Sequence, residues 1–136
     1  MEQKDYLMRE IDKIGMLLRA IMDSLLNKNE NFSISAENLF KQTNELLISE
    51  IGFDLDMFLT LDESASKKYL SQFNGINADN LALMAEVIFQ FGINKQSDNK
   101  RICLEKALQL YELSERTDKT FSVDRKRKIQ EIKNAL

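Results

Sequence analysis

The sequence predicts an all-α protein that folds as a single compact domain of about five or six helices. Proline is absent and glycine occurs only four times in 136 residues, so helices have few places to break. Apolar residues recur at intervals of three and four along several segments, which is the helix period. Hydrophobic residues make up 43% and charged residues 30% of the chain, a balance typical of a folded protein. No low-complexity linker divides residues 1–136.

The first predicted helix is the longest and runs from about Gln3 to Leu26. One stripe of apolar residues advances along it in alternating steps of four and three: Leu7, Ile11, Ile14, Leu18, Ile21 and Leu25. Other apolar residues widen the stripe, namely Met8, Leu17, Met22 and Leu26. A wide stripe favours a helix packed on several neighbours, and the mixed charges of the polar face lack the basic bias of a membrane-surface helix. A dimer contact by part of this helix stays open.

A second helix is predicted over Ala36 to Ile51, after a polar run that begins at Asn27. Ser35 suits its N-cap, and Gly52 stands where a left-handed C-terminal cap is wanted. Apolar residues then alternate with others from Phe53 to Leu61, which matches a strand pattern. Because a lone strand leaves its backbone groups unpaired, we interpret this stretch as a short helical turn or an extended connector.

A short helix is predicted next, with Asp62 as its N-cap and an end near Phe73. The Asn74-Gly75 pair predicts a turn after it. The segment 53–75 is the part of the chain whose conformation the sequence determines least.

Two longer helices follow and are expected to form an antiparallel hairpin over residues 78–115. The first spans about 78–91, with Asn77 as its cap and Gly92 as its end. After the polar stretch 94–99, the second spans about 100–115. Its inward face is predicted to carry Cys103, Ala107, Leu110 and Tyr111.

A closing helix is predicted over residues 122–136, after a polar turn at 116–121. Ser122 is its candidate N-cap. Its apolar residues are Val123, Ile129, Ile132 and Leu136.

The segments LALMAEVIFQFG and LEKALQLYE resemble the two helices of a tetratricopeptide repeat. Ala85 and Ala107 fall at the small positions of the two helices, which let the helix backbones approach closely, and Gly92 falls at the turn glycine of that pattern. The resemblance implies a repeat-like hairpin at 78–115. We predict that the long N-terminal helix packs against this hairpin and its closing helix. The loop is longer than in the repeat, Lys100 replaces an expected alanine, and no second copy is visible. Since arrays generally need about three units, the sequence alone does not predict a concave peptide-binding groove.

Two terminal runs, Lys4-Asp5-Tyr6-Leu7-Met8-Arg9 and Lys119-Thr120-Phe121-Ser122 leading to Arg125, resemble an uncharacterised family of short bacterial helical proteins. This resemblance implies the all-α fold and a cytoplasmic bacterial origin, and it brings no activity with it. The single cysteine and the lack of a secretory-signal pattern also lead us to expect an intracellular protein. No apolar run approaches the roughly 20 residues of a membrane span.

Common catalytic and metal sites have no counterpart in the sequence. Histidine is absent, which removes the commonest general base and neutral metal ligand. The four glycines, at positions 15, 52, 75 and 92, are too far apart for a phosphate loop or a dinucleotide fingerprint. Cys103 is interpreted as a small core residue, and a group of acids is interpreted as helix caps and solvated side chains: Asp54, Asp56, Asp62 and Glu63. We therefore expect no enzymatic activity, no cofactor and no metal.

The strongest local charge lies between Arg116 and Lys133, a stretch that contains seven basic and three acidic residues. A candidate phosphate-binding site within it, on nucleic acid or at a membrane surface, consists of Arg125, Lys126, Arg127 and Lys128. Four consecutive residues spread over about 300° of a helix, so they cannot all face one ligand. A solvated helix face, or pairing with acids on a neighbouring helix, explains the run as well.

From the sequence we expect a non-enzymatic protein-protein interaction or adaptor domain with a protein partner, and with a homodimer as an open option. The alternative is a small nucleic-acid-associated or regulatory protein that uses residues 125–128, although nucleic acid is the less favoured partner. The specific role and the identity of the partner do not follow from the sequence.

Overall fold

The computed structural model describes residues 2–27, 36–93, 98–118 and 121–136. These residues form seven helices and no strand: α1 (Glu2–Leu26), α2 (Ala36–Ile51), α3 (Leu55–Phe58), α4 (Glu63–Leu70), α5 (Ala78–Ile93), α6 (Asp98–Thr117) and α7 (Val123–Ala135). The predicted all-α fold is confirmed. The described residues hold more helices than expected because the connector after Gly52 contains the four-residue α3. None of these helices has the length and apolar character that crossing a membrane requires.

Several helix ends lie where the sequence predicts them. Side-chain oxygens of Asp62, Asn77 and Ser122 accept hydrogen bonds from backbone N–H groups three residues on, at 2.7, 3.0 and 3.2 Å. Gly52 has φ +73°, the left-handed conformation expected of a helix C-cap. The predicted Ser35 cap lies outside the described residues, as do the connecting residues 28–35, 94–97 and 119–120.

Three helices have boundaries that differ from the prediction. The short helix α4 ends at Leu70 rather than near Phe73, and α6 extends beyond 100–115 at both ends. Gly92 does not end α5 but lies in its last turn, where an added Cβ would stand 2.9 Å from the Cβ of Cys103. The glycine is therefore needed for a close approach of α5 and α6 and not for a turn.

The core is built around α5, which packs against α1 on one side and α6 on the other, while α7 packs against α6. Tyr111 contacts Glu86 and Ser114 contacts Ala78, so α5 and α6 run antiparallel as predicted. The pairs Arg125–Asp118 and Lys126–Glu115 show the same reversed order for α6 and α7. The predicted inward residues of α6 are all buried: Cys103, Ala107, Leu110 and Tyr111.

The apolar stripe of α1 is longer than the core that covers it. Its middle and end are buried, from Ile14 to Leu25, but Leu7, Met8 and Leu26 are exposed. In α7, Ile129 and Ile132 are buried as expected, whereas Val123 and Leu136 are exposed at the two ends. Periodicity predicts which face of a helix is apolar but not how far its neighbours extend along it.

The segment after α2 folds into an aromatic corner, defined by Phe53, Phe58, Tyr69 and Phe73. The centroid of the Phe53 ring lies 5.2 Å from each of the other three ring centroids. Asn44 of α2 fixes this corner, since its Oδ1 accepts a 2.6 Å hydrogen bond from the Leu55 N–H. The alternation of apolar residues at 53–61 thus reflects a tight helical corner rather than a strand.

Candidate functional site

A groove of about 400 Å³ is bordered by α1 on one side and α7 on the other, with α5 as its floor. We call it the α5 groove and define it by its nine lining residues: Arg19, Asp79, Ala82, Leu83, Glu86, Tyr111, Asp124, Arg125 and Lys128. The four residues from α5 have helical spacing and therefore form one stripe along that helix. At the middle of the stripe, Ala82 and Leu83 are partly buried and pack against the core. The groove consequently has an apolar floor with charged residues around it.

Glu86 is held at one end of the α5 groove by three neighbours, one of which is Gln90, whose Nε2 donates to Glu86 Oε1 at 3.3 Å. The other two line the groove: Glu86 Oε2 accepts a 2.6 Å hydrogen bond from the Tyr111 hydroxyl, and Glu86 Oε1 lies 3.4 Å from the Nζ of Lys128. Burial, together with this hydrogen bond to Glu86, raises the pKa of Tyr111. Tyr111 therefore remains a hydrogen-bond donor at neutral pH. The positive charge of Lys128 is paired with the negative charge of Glu86.

Arg125 links α7 to α6 and, through Ser114, to α5, at the α7 wall of the groove. Its Nη1 donates to Asp118 Oδ2 at 3.0 Å and to Ser114 Oγ at 3.2 Å. The Ser114 hydroxyl in turn donates to the carbonyl of Ala78 at the start of α5, at 2.7 Å. Because the Arg125 side chain is only 8% exposed, its position is fixed by these contacts.

The four residues of the basic run 125–128 diverge, as their helical positions require. Lys126 pairs with Glu115 on α6 at 3.4 Å, and Arg127 pairs with Asp124 at 2.6 Å. Arg125 and Lys128 line the α5 groove, whereas Lys126 and Arg127 do not. Lys126 and Lys128 pair with acids on neighbouring helices, as the pairing alternative describes, whereas Arg127 pairs within α7 and is 71% exposed. Phosphate binding by this run stays a prediction.

Arg19 is a groove residue that the sequence did not single out. It forms no ion pair with any residue of the described ranges. Gly15 lies one turn before it, and a Cβ at Gly15 would stand 3.2 Å from Arg19 Nη1 and 3.1 Å from Asn80 Oδ1. The absence of that Cβ makes room for the guanidinium beside α5. A glycine inside a helix is unfavourable by about 1 kcal/mol, and this was the only signal in the sequence.

A second cluster, away from the groove, joins Lys106 of α6 to Ser66 of α4. The Nζ of Lys106 donates to Ser66 Oγ at 2.5 Å and to the carbonyl of Leu61 at 2.6 Å. Burial lowers the pKa of Lys106, and the negative charge of Asp62 opposes this effect. Serine beside lysine can act as a nucleophile with its base.

The surroundings of this pair favour a structural role. Lys106 and Ser66 are 3% and 4% exposed, and the cavity next to Ser66 measures about 10 Å³, too small for a substrate. The pair therefore ties α4 to α6. Nothing in the local sequence marks Lys106, because its buried position depends on a helix 40 residues earlier in the chain.

The acids between α2 and α4 act largely as predicted. Asp54 caps α3 and Asp62 caps α4, while Asp56 and Glu63 are exposed. Among the residues that the structure describes, no cluster of three or more potential metal-ligating side chains is found. Comparisons with family models, curated proteins and solved structures give no match to this chain.

Proposed function

We propose that this chain is a non-enzymatic protein-interaction domain and that the α5 groove is its binding surface. The observation that carries this proposal is the strip formed by Ala82 and Leu83, an apolar floor surrounded by charges of both signs. Protein interfaces commonly combine an apolar centre with a polar rim in this way.

The walls of the groove support the proposal because polar contacts hold them in place. The Arg125–Ser114–Ala78 chain of hydrogen bonds fixes α7 against α5 and α6. On the opposite side, Asn80 donates to the carbonyl of Ile11 at 3.0 Å and so fixes α1. A preformed surface loses less conformational freedom on binding and so binds more tightly.

The resemblance of residues 78–115 to a tetratricopeptide unit also favours an adaptor role, as a proposal by analogy of fold. In that resemblance α5 is the first helix of the unit, and α7 runs parallel to it on the same side of the molecule. Neighbouring parallel helices leave between them the kind of channel in which a partner segment lies.

Site-specific cross-linking tests this function. A photoreactive amino acid at Leu83 in the groove is compared with one at Lys133, an exposed position on α7 outside the groove. A host protein that cross-links to the probe at Leu83 but not to the probe at Lys133 is then purified, and its affinity for the wild-type chain is measured by titration. Capture alone is not decisive, so the affinity measurement carries the test.

Leu83→Glu places a charge on the groove floor and is expected to weaken binding of the purified partner at least tenfold. Leu136→Glu, at an exposed site outside the groove, is the matched control and should change the affinity less than twofold. Circular dichroism verifies that both variants fold. Equal affinities for the wild type and Leu83→Glu would refute the groove as the binding surface.

A further inference from the structure

We infer that the α5 groove selects its partner through Arg19 and Asp79, and that the partner segment is a helix carrying one acidic and one basic residue to match them. This inference rests on the proposed function of the groove, and it specifies the chemistry of the ligand.

The shape of the floor favours a helical ligand over an extended one. Asp79, Ala82, Leu83 and Glu86 stand at positions i, i+3, i+4 and i+7, the pattern of anchors with which two helices meet. The short side chain of Ala82 lets another backbone approach closely. A volume of about 400 Å³ accommodates one row of side chains from a helix that lies along the groove.

Six charged side chains line the groove, and four of them already have partners. Lys128 pairs with Glu86, Arg125 with Asp118, and Asp124 with Arg127. The remaining two, Arg19 and Asp79, form no ion pair with any residue that the structure describes. A ligand that covers both charges without pairing them removes water from them at a cost in affinity. A ligand that pairs both charges avoids that cost.

The two unmatched charges lie at the same end of the groove. Asp79 precedes Asn80 in the first turn of α5, and Asn80 lies beside Gly15 and the guanidinium of Arg19. Asn80 is itself fixed, because its Nδ2 donates to the carbonyls of Ile11 and Gly75 at 3.0 and 2.7 Å. The acid and the base of the partner must therefore lie close together, about three or four residues apart on one helical face.

Selection from a phage-displayed library of helical peptides, with randomised residues on one face, tests this inference on the full-length chain. We expect enriched peptides that lose binding to Leu83→Glu and carry an acid and a base three or four residues apart. Exchanging the acid and the base in such a peptide should weaken binding by about 3- to 10-fold. The double variant Arg19→Glu, Asp79→Arg should reverse this preference.

Gly15→Ala provides a test that leaves every charge in place. The new Cβ would stand 3.1 Å from Asn80 Oδ1 and 3.2 Å from Arg19 Nη1, so both side chains must shift by a few tenths of an ångström. Binding of a selected peptide to Gly15→Ala should be about 2- to 3-fold weaker than to the wild type. A peptide in which glutamine replaces the acidic residue should bind the two chains equally. Arg9→Glu, an exposed charge reversal elsewhere on α1, is the control and should leave binding unchanged.

The outcomes separate the inference from the proposed function. Groove-binding peptides without the acid and base, or without a response to the double variant, overturn the inference alone. A library that yields no binder also overturns the inference alone, because the proposed function is tested with the captured partner. Selected peptides and a captured partner that all still bind Leu83→Glu overturn both.

Discussion

The Nζ of Lys106 lies 4.8 Å from the centroid of the Phe58 ring, inside the core rather than at the surface. The same ammonium donates hydrogen bonds to Ser66 Oγ and the Leu61 carbonyl. One side chain of α6 therefore provides both a cation–π contact and two hydrogen bonds to the α3–α4 region. This lysine is a structural cross-link between the hairpin and the aromatic corner.

Lys106→Met is expected to lower the free energy of unfolding by about 1–3 kcal/mol. Methionine fills much of the same volume, but the Leu61 carbonyl and the Ser66 hydroxyl lose a buried donor. Urea denaturation followed by circular dichroism measures the change. Lys68→Met, at an exposed position on α4, is the control and should alter stability by less than about 0.5 kcal/mol. Equal losses in the two variants would contradict the role assigned to Lys106.

Alkaline pH should destabilise the protein through Tyr111. Burial, together with the hydrogen bond to Glu86, raises the pKa of Tyr111 in the folded state. Above pH 10, near the ordinary tyrosine pKa, the unfolded chain loses a proton that the folded chain keeps. The contribution of Tyr111 to stability is thus complete below that pH and decreases above it, by up to about 1.4 kcal/mol per pH unit. Tyr111→Phe should flatten this decrease in urea titrations at increasing alkaline pH.

Lys106 should act in the opposite direction in a lower pH range, below about 10.5. Burial lowers the pKa of Lys106 below its ordinary 10.5, so between the two values the unfolded chain binds more protons than the folded chain. Stability from this group therefore rises with pH in that window. Within that window, below pH 10.5, the stability of the Lys106→Met variant should consequently increase less with pH than that of the wild type. An equal or larger increase in Lys106→Met would contradict this sign.

Local signals predict most of the helix ends and the α5–α6 hairpin, whereas the individual side-chain contacts between helices are not predictable. The caps at Asp62 and Ser122 involve a side chain and a backbone group three residues apart, so a short window of sequence contains both. Gly92 was misinterpreted because the reason for it is Cys103, which lies on another helix. The same limit applies to the groove: residues 125–128 are visibly basic, but Glu86 is more than 40 residues from its partner Lys128.

Gly75 and Gly52 should respond differently to substitution, because a Cβ added at Gly75 would clash with neighbouring atoms and a Cβ added at Gly52 would not. A Cβ at Gly75 would lie 2.8 Å from the backbone carbon and oxygen of Glu10, neither of which can rotate away. Gly75→Ala should therefore lower stability by about 1–3 kcal/mol through a displacement of α1. Gly52 has φ +73° with no atom within 4 Å of a new Cβ, so Gly52→Asn should be tolerated to within about 1 kcal/mol. Thermal unfolding compares the two, and a larger loss in Gly52→Asn would contradict the packing described at Gly75.

The basic run 125–128 should divide into one residue that stabilises the fold and one that does not. In the ion pair of Arg125 with Asp118, the two side chains are 8% and 26% exposed, respectively. In the pair of Arg127 with Asp124 they are 71% and 73% exposed. Arg125→Ala removes the donor to Asp118 and Ser114 from a buried position, so we expect a loss of about 2–4 kcal/mol and faster amide exchange throughout α7. Arg127→Ala should change stability by less than about 0.5 kcal/mol, since exposed ion pairs contribute little. If Arg125→Ala were as stable as the wild type, Arg125 would not hold α7.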